Sequence, residues 1–395
     1  MKTVEIKDNI YWVGAVDWNL RDFHGYSTEK GSTYNAYLLR DEKTVLFDTV
    51  KADLCGHLVD NIKSVCDPQE IDYIVVNHAE MDHTGSLPEI LKLAQPKKII
   101  CNAKCRETLI AHYHDDSWPF EIIKEDDTFQ TGAHTIQFLD SKMLHWPESM
   151  ASFIPEKNLL ISNDIFGQHW SSSERFDDEV DQGELYWQAA KYFANIFYPF
   201  CPAVGKFLTK LEDKNIHPDM LAVDHGLIWR SDVAGIMAAY KRWSSQEAKN
   251  KAVVVFDTMW GSTKKMAEAI GKGLAKEDIS THLFDLRFNH RSDVITEILE
   301  ARAVVVGSSV MNNNLLPKMA DMLTYMKGLK PSQKIAAAFG SYGWSNKGVK
   351  MLNEALESMK FEIVDEGVAS NYVPTPDVLE SCEQLGRKIG QAIKA

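Results

Sequence analysis

The chain has 395 residues, well above the roughly 100–200 of a single domain, so two domains are expected. With 45% hydrophobic and 25% charged residues it carries enough apolar side chains for sizeable cores, which excludes a disordered polypeptide. Lys+Arg 43 against Asp+Glu 56 leaves a net charge of −13, which argues against nucleic acid or an anionic membrane surface as the main partner.

No apolar run approaches the ~18 residues of a spanning helix. Lys2, Glu5, Lys7 and Asp8 leave no room for a signal-peptide core, so a cytoplasmic protein with no membrane partner is expected. The six cysteines (55, 66, 101, 105, 201 and 382) contain no C-x-x-C pair. That argues for reduced thiols and against a zinc-ribbon or rubredoxin module.

The first part of the chain reads as short strands in succession, Ile10–Val13, Thr33–Leu39 and Val45–Phe47, followed by mixed strands and helices. Tyr73–Val76, Ile136–Leu139, Leu159–Ile161 and Met220–Val223 also read as strands, which makes an α+β or layered sandwich the expected class. Ser244–Lys251 is a polar stretch between two periodic regions, placing the domain boundary at 1–248 and 249–395. Beyond it strands and helices alternate: strands at Ala252–Phe256, Ala303–Val306 and Ile335–Phe339, helices near Met319–Met326 and Val349–Ser358. A last helix spaces Val378, Cys382, Leu385 and Ile389 along one face. This pattern predicts an open, doubly wound parallel sheet of flavodoxin-like size.

The strands of the first part run into polar residues suited to metal ligation. Tyr73–Val76 leads into Asn77-His78-Ala79-Glu80-Met81-Asp82-His83. In extended backbone His78, Glu80 and Asp82 point the same way, and His83 adds an adjacent nitrogen. Ser86 and Glu89 read as a capping box, so a helix is expected to start directly after the loop. Leu144-His145-Trp146-Pro147 follows another strand, and Asp164 and His225 follow two more. Taken singly, His145, Asp164 and His225 read as solvated loop residues. The H-x-E-x-D-H cluster does not, because crowding charges of one type without compensation is costly. Four histidines and three carboxylates suit two metals, with one carboxylate bridging. His57, His112, His114 and His134 have no comparable setting.

After the strand at 252–256 comes Asp257-Thr258-Met259-Trp260-Gly261-Ser262-Thr263 and then a helix. Hydroxyls and backbone N–H groups of Thr258 to Thr263 make a phosphate cradle at a helix N-terminus. Neither a Walker A motif nor G-x-G-x-x-G is present, so a phosphate monoester such as that of FMN fits better than a pyrophosphate. Two more loops follow strand ends: one carries Ser308, Asn312, Asn313 and Asn314, the other Ser341, Tyr342, Gly343 and Trp344. Open α/β sheets bind ligands at that edge. Tyr342 and Trp344 are placed to cover an isoalloxazine ring, with the asparagine amides at its polar edge; as lone aromatics they read equally well as packing.

H-x-E-x-D-H followed by L-H-W-P, N-D-x-F-G-Q-H, H-G-x-I-W-R and the three loops resembles the flavodiiron proteins, also called A-type flavoproteins, over nearly the whole chain. The resemblance implies an N-terminal metallo-β-lactamase-like αββα sandwich with a non-haem diiron site and a C-terminal flavodoxin-like domain with FMN. The wider metallo-β-lactamase pattern, H-x-H-x-D-H, usually binds zinc; Glu80 stands at its middle histidine, and anionic oxygen favours a harder metal. By resemblance His78, Glu80 and His145 hold one iron, Asp82, His83 and His225 the other, and Asp164 bridges. His24, Trp146 and Tyr198 are candidates to screen the site or hand over protons. Two departures stand out: Gly307-Ser308-Ser309-Val310-Met311-Asn312-Asn313 where G-S-P-T-x-N-N is frequent, and Asp224 where a small residue is frequent.

The activity implied is reduction of O2 to water, of NO to N2O, or of both, in oxygen and nitric oxide detoxification. A separate electron donor is expected, either a rubredoxin-type protein, a flavin reductase or a reduced deazaflavin, since neither a rubredoxin nor a flavin reductase domain is fused. A head-to-tail homodimer or dimer of dimers is also implied. The competing readings are a dinuclear zinc hydrolase with a flavodoxin-like sensor domain, and a binding or electron-carrier protein on a degenerate scaffold.

Overall fold

The computed structural model describes residues 3–395, which fall into two compact units. The first takes the chain up to His24, Thr28–Tyr192 and Pro202–Lys241; the second takes Gly25–Ser27, Phe193–Cys201 and Arg242–Ala395.

The first unit is built on two sheets. One has seven strands in the order Val4–Lys7, Ile10–Trp12, Tyr37–Leu39, Thr44–Phe47, Ile71–Val75, Lys98–Asn102 and Phe120–Ile123. The other has five: Thr128–Gln130, Thr135–Asp140, Met150–Ile154, Leu159–Asn163 and Met220–Val223. Residues of opposite parity in the first sheet feed two cores, as the two-residue side-chain period requires. Tyr37, Leu39, Val45, Phe47 and Val75 pack towards Ile136, Phe138, Ile154 and Ile161 of the second sheet. Leu38, Leu46, Ile74 and Ile99 pack with the helical Leu58, Ile62, Leu87 and Leu109. The first unit is therefore a metallo-β-lactamase-like sandwich.

Two local expectations fail. Thr33–Leu39 is not one strand: Ser32–Tyr34 pairs with Ala15–Asp17, and Tyr37–Leu39 belongs to the seven-stranded sheet. The break is at Asn35, whose backbone N–H donates to the Asp224 carbonyl at 2.7 Å while its side chain bonds Trp12 Nε1 and the Val223 carbonyl. These bonds replace a ladder. Ser86 and Glu89 form no capping box either, because the Ser86 hydroxyl donates to the Lys51 carbonyl at 2.9 Å.

The second unit carries a parallel sheet in the order Ser280–Asp285, Lys249–Asp257, Ala301–Met311, Ile335–Tyr342, with Glu362–Ile363 and Val368–Asn371 both on the last. Ala252, Val254, Val305 and Ala337 pack against Met266, Ile270, Leu385 and Ile389 of two helices. Strands buried on both faces explain the unbroken apolar runs. The edge strand Ser280–Asp285, largely exposed, has no such run. The polar stretch 244–251 holds little loop, since the helix Val233–Ser245 ends inside it and the strand Lys249–Asp257 begins there. Among the described residues, no helix is long and apolar enough to cross a membrane.

Candidate functional site

Asp48 organises the backbone that presents the first histidine. Its carboxylate accepts the Asn77 backbone N–H and the Asn77 side-chain amide, both at 2.8 Å. After Glu80 the chain turns into one helical turn, Met81–Thr84, with the Thr84 hydroxyl donating to the Ala79 and Glu80 carbonyls. The expected extended geometry is therefore corrected. His78 and Glu80 face one side, while Asp82 and His83 are rotated to the other by the helical turn.

Asp164 stands between. Its Oδ2 lies 3.4 Å from His78 Nε2 and 3.2 Å from His145 Nε2. Glu80 Oε2 completes that group, 3.3 Å from His78 Nε2 and 3.2 Å from His145 Nε2. Asp164 Oδ1 faces the second group, 3.2 Å from His83 Nε2 and 3.4 Å from His225 Nε2. Asp82 Oδ1 lies 3.4 Å from His83 Nε2, and its Oδ2 lies 3.3 Å from His225 Nε2. Gly226 makes the last placement feasible: at φ +82 a Cβ there would meet Gln168 Oε1 at 1.5 Å.

These ligand atoms fit cations better than they fit one another. Both Asp82 oxygens, both His83 nitrogens and Asp164 Oδ1 are buried without a hydrogen-bond partner, which is costly unless something else satisfies them. Separations of 3.2–3.4 Å are what donor atoms show around an ion bound at about 2.0–2.2 Å. Four imidazoles with three carboxylates favour iron over the nitrogen- and sulfur-rich sets typical of zinc.

The protonation of the metal-free centre follows from this crowding. Burial opposes charge on His78, but the hydrogen bond to Glu148 and the Glu80 and Asp164 carboxylates hold it well above the usual histidine range. Burial opposes charge on His83 too, yet Asp82 and Asp164 bring it up to about 10. Against the same burial, His145 and His78 hold Glu80 low, and His83 and His145 hold Asp164 well below ordinary carboxylates. Such imidazoles carry protons that a metal ion displaces.

The surroundings include residues the sequence reading passed over. Fully buried Glu148 accepts from His78 Nδ1 at 2.9 Å. His169 lies 4.8 Å from His225, ring to ring, with Ser32 Oγ 2.7 Å from its Nδ1. Nearby charge from His225 adds to burial and keeps His169 neutral. Glu148 directly follows L-H-W-P and His169 closes N-D-x-F-G-Q-H, but neither position carries a charge cluster or spacing of its own that would mark it. Of the expected neighbours, the Trp146 ring stands edge-on to His78 at 5.3 Å. Exposed His24 reaches Glu80 Oε1 at 3.2 Å. Tyr198 is buried in the segment Phe193–Cys201 of the second unit; the tyrosine rings beside His225 are Tyr34 and Tyr192, at 5.4 and 6.0 Å.

In the second unit the strand-end loops enclose a cavity of about 550 Å³. Met259, Trp260, Ser262, Asn312, Asn313, Ser341, Tyr342, Gly343 and Trp344 line it as expected, joined by Ser309, Val310, Met311, Ser345, Tyr372 and Val373. The helix Ser262–Ala275 begins there from Gly261 at φ 87, with no side chain capping its N–H groups, so an anion is favoured. Thr258, Gly261, Thr263, Ser308 and Asn314 do not line the cavity, for local reasons. Thr258 Oγ1 accepts the Gly261 N–H, shaping the turn. Thr263, Ser309 and Ser341 hydroxyls form a closed ring at 2.9, 3.1 and 3.0 Å. Ser308 Oγ bonds the Ser309 carbonyl and the Leu316 N–H, and Asn314 caps the Leu315 N–H.

Comparison with known proteins assigns a family to each unit. The family described as ODP family beta lactamase matches residues 33–226, and Flavodoxin matches 254–386. The chain is 44% identical to a nitric oxide reductase of Moorella thermoacetica, over 99% of this chain and 98% of that protein. Rubredoxin oxygen:oxidoreductase from Desulfovibrio gigas superposes with TM-score 0.97 at 40% identity, covering 99% of this chain and 98% of the other. A flavodiiron protein from Giardia intestinalis superposes with TM-score 0.96 at 33% identity, covering 100% and 97%.

Proposed function

This chain belongs to the flavodiiron protein family, and from that premise we propose how its residues divide the work of an FMN- and diiron-dependent oxidoreductase acting on O2, NO or both. Iron and flavin supply the electrons, four with four protons for O2 to two waters, two with two protons for two NO to N2O and one water. The zinc hydrolase and carrier readings are set aside, because the relatives are oxidoreductases along nearly the full chain.

His78, Glu80 and His145 hold one iron, and Asp82, His83 and His225 the other, with Asp164 between them. The observation that carries this is the division of the two Asp164 oxygens, one to each set. Glu80 and His145 are the ligands with the most solvent contact, 12% and 17% exposed, so substrate enters along their edge. His24 Nε2 stands at that entrance, hydrogen-bonded to Glu80, and hands protons inward. Trp146 and the buried rings around His225 keep bulk water out.

The second unit's cavity would hold FMN, with the uncapped start of Ser262–Ala275 available to its phosphate and Trp260, Tyr342 and Trp344 to its ring. Along the chain the domains divide as 1–248 and 249–395, with Gly25–Ser27, Phe193–Cys201 and residues 242–248 grouping with the second unit. Trp260 and Trp344, 95% and 89% exposed, present apolar surface that a second copy would cover, which supports a head-to-tail homodimer pairing one chain's flavin with its partner's irons. The location is cytoplasmic and the electron donor is a rubredoxin-type protein, a flavin reductase or a reduced deazaflavin. Side-by-side turnover of O2 and NO under one reductant, with iron and flavin counted per chain, tests the reading. A colourless protein holding equimolar zinc contradicts it.

A further inference from the structure

The proposed ligands divide evenly, one carboxylate and two imidazoles on each side of Asp164. With matched inner sets, what stands behind the histidines is a source of difference between the two positions. Metal-bound imidazoles are oriented and made more basic by the acceptor on their second nitrogen.

Behind His78 stands a carboxylate anchored at both ends. Glu148 Oε1 lies 2.9 Å from His78 Nδ1 and also accepts the Ala79 N–H at 3.2 Å. Its backbone carbonyl accepts from Asn102 Nδ2 at 2.6 Å, and Asn102 in turn caps the helix Ala103–Tyr113 through the Cys105 N–H. Glu148 Oε2 is buried with no hydrogen-bond partner. The charge is thus directed at one imidazole and not spent on a second ion pair.

The other set has nothing equivalent. His225 Nδ1 donates to the uncharged Thr33 carbonyl at 2.7 Å. Nδ1 of His83 has no hydrogen-bond partner, and the Asp224 Oδ2 that faces it is 3.8 Å away, beyond hydrogen-bond reach.

We infer that Glu148 is a positioning residue that makes the two metal positions inequivalent, so that in the half-reduced centre the ferric ion is the one held by His78, Glu80 and His145. This rests on the ligand assignment proposed above. An anionic acceptor on Nδ1 enriches the imidazole in electron density, and in a buried site that charge is poorly screened. The first electron into the diferric centre therefore reduces the iron at Asp82, His83 and His225. A second electron reduces the iron at His78.

The test is a mediated redox titration of the holoenzyme, with dithionite as electron source, followed by EPR, where the half-reduced diiron centre and the flavin semiquinone give separate signals. Glu148→Gln keeps the shape and removes the charge. It is expected to retain two irons per chain and to raise the second iron midpoint more than the first. Glu148→Asp, which keeps the charge on a shorter arm, moves the second midpoint less in the same direction, and carries the test if the glutamine variant does not fold. Asp224→Asn is expected to leave the order of the shifts unchanged. Glu148→Ala is expected to weaken iron retention against a chelator about 10–100-fold. Two irons per chain with both midpoints unmoved in Glu148→Gln overturns the inference while leaving the ligand assignment intact, as does a shift confined to the first midpoint. A wild-type protein with fewer than two irons per chain overturns the assignment and the inference together.

Discussion

At the metal centre, buried ligand atoms on Asp82, His83 and Asp164 have no hydrogen-bond partners; at the flavin cavity, the hydroxyls of Thr263, Ser309 and Ser341 have already paired with one another. The first site is enclosed and is complete only with cations in it. The second is open, with Trp260 and Trp344 almost fully exposed, and its buried hydroxyls are paired without a ligand, which leaves the uncapped N–H groups at the start of Ser262–Ala275 for an anion. Removing a ligand from the first therefore leaves charges buried and unpaired, which is severe. Removing a hydroxyl from the second leaves the remaining two bonded to each other, which is mild.

The largest effect is expected from Asp164→Ala. Asp164 faces both proposed ligand sets, so its loss should bring iron well below one per chain and abolish turnover of O2 and NO. Flavin content, read by absorbance, should stay near that of the wild type. Two irons retained in that variant would remove the bridging role.

An intermediate effect concerns pH. In the metal-free protein His78 and His83 titrate above the ordinary histidine value, His83 at about 10. A group raised in the folded state stabilises fully below its unfolded pKa of about 6.5 and loses that contribution as pH rises through the folded value. Metal-free protein should thus lose thermal stability between about pH 6.5 and 10. Metal-loaded protein should not follow this course, since metal has replaced those protons. Parallel melting curves of the two forms, measured across that range, check it; a metal-free midpoint that does not fall contradicts it.

The smallest effect is expected at the flavin. Ser309→Ala removes two of the three bonds of the hydroxyl ring, each worth about 0.5–1.5 kcal/mol, and with Thr263 and Ser341 still paired should weaken FMN binding only about 2–10-fold. Iron content should be unchanged. Fluorescence titration of the flavin-free protein reads the former, and parallel loss of iron would mean the two sites are coupled.

The same contrast governs what the sequence makes legible. His78, Glu80, Asp82 and His83 are visible because charge clusters in a few residues, and Val253–Phe256 because a doubly buried strand is apolar throughout. The direction of Asp82 is not visible, since it depends on a single helical turn that a period-two reading cannot anticipate. Glu148 is not visible because its partner His78 lies 70 residues away, and only the fold joins them. Thr33–Leu39 reads as one strand because side-chain pattern does not report that Asn35 is claimed by Asp224 and Val223. That the Thr263 hydroxyl bonds Ser309 and Ser341 is not visible either, because those partners lie 46 and 78 residues away.

All seven proposed ligands lie in the first unit, so iron binding should not depend on the flavin. Anaerobic titration of metal-free, flavin-free protein with Fe(II) tests it most directly. Saturation is expected at two irons per chain, with the same stoichiometry after FMN is restored. Saturation at one, or iron binding that appears only once FMN is present, would contradict it.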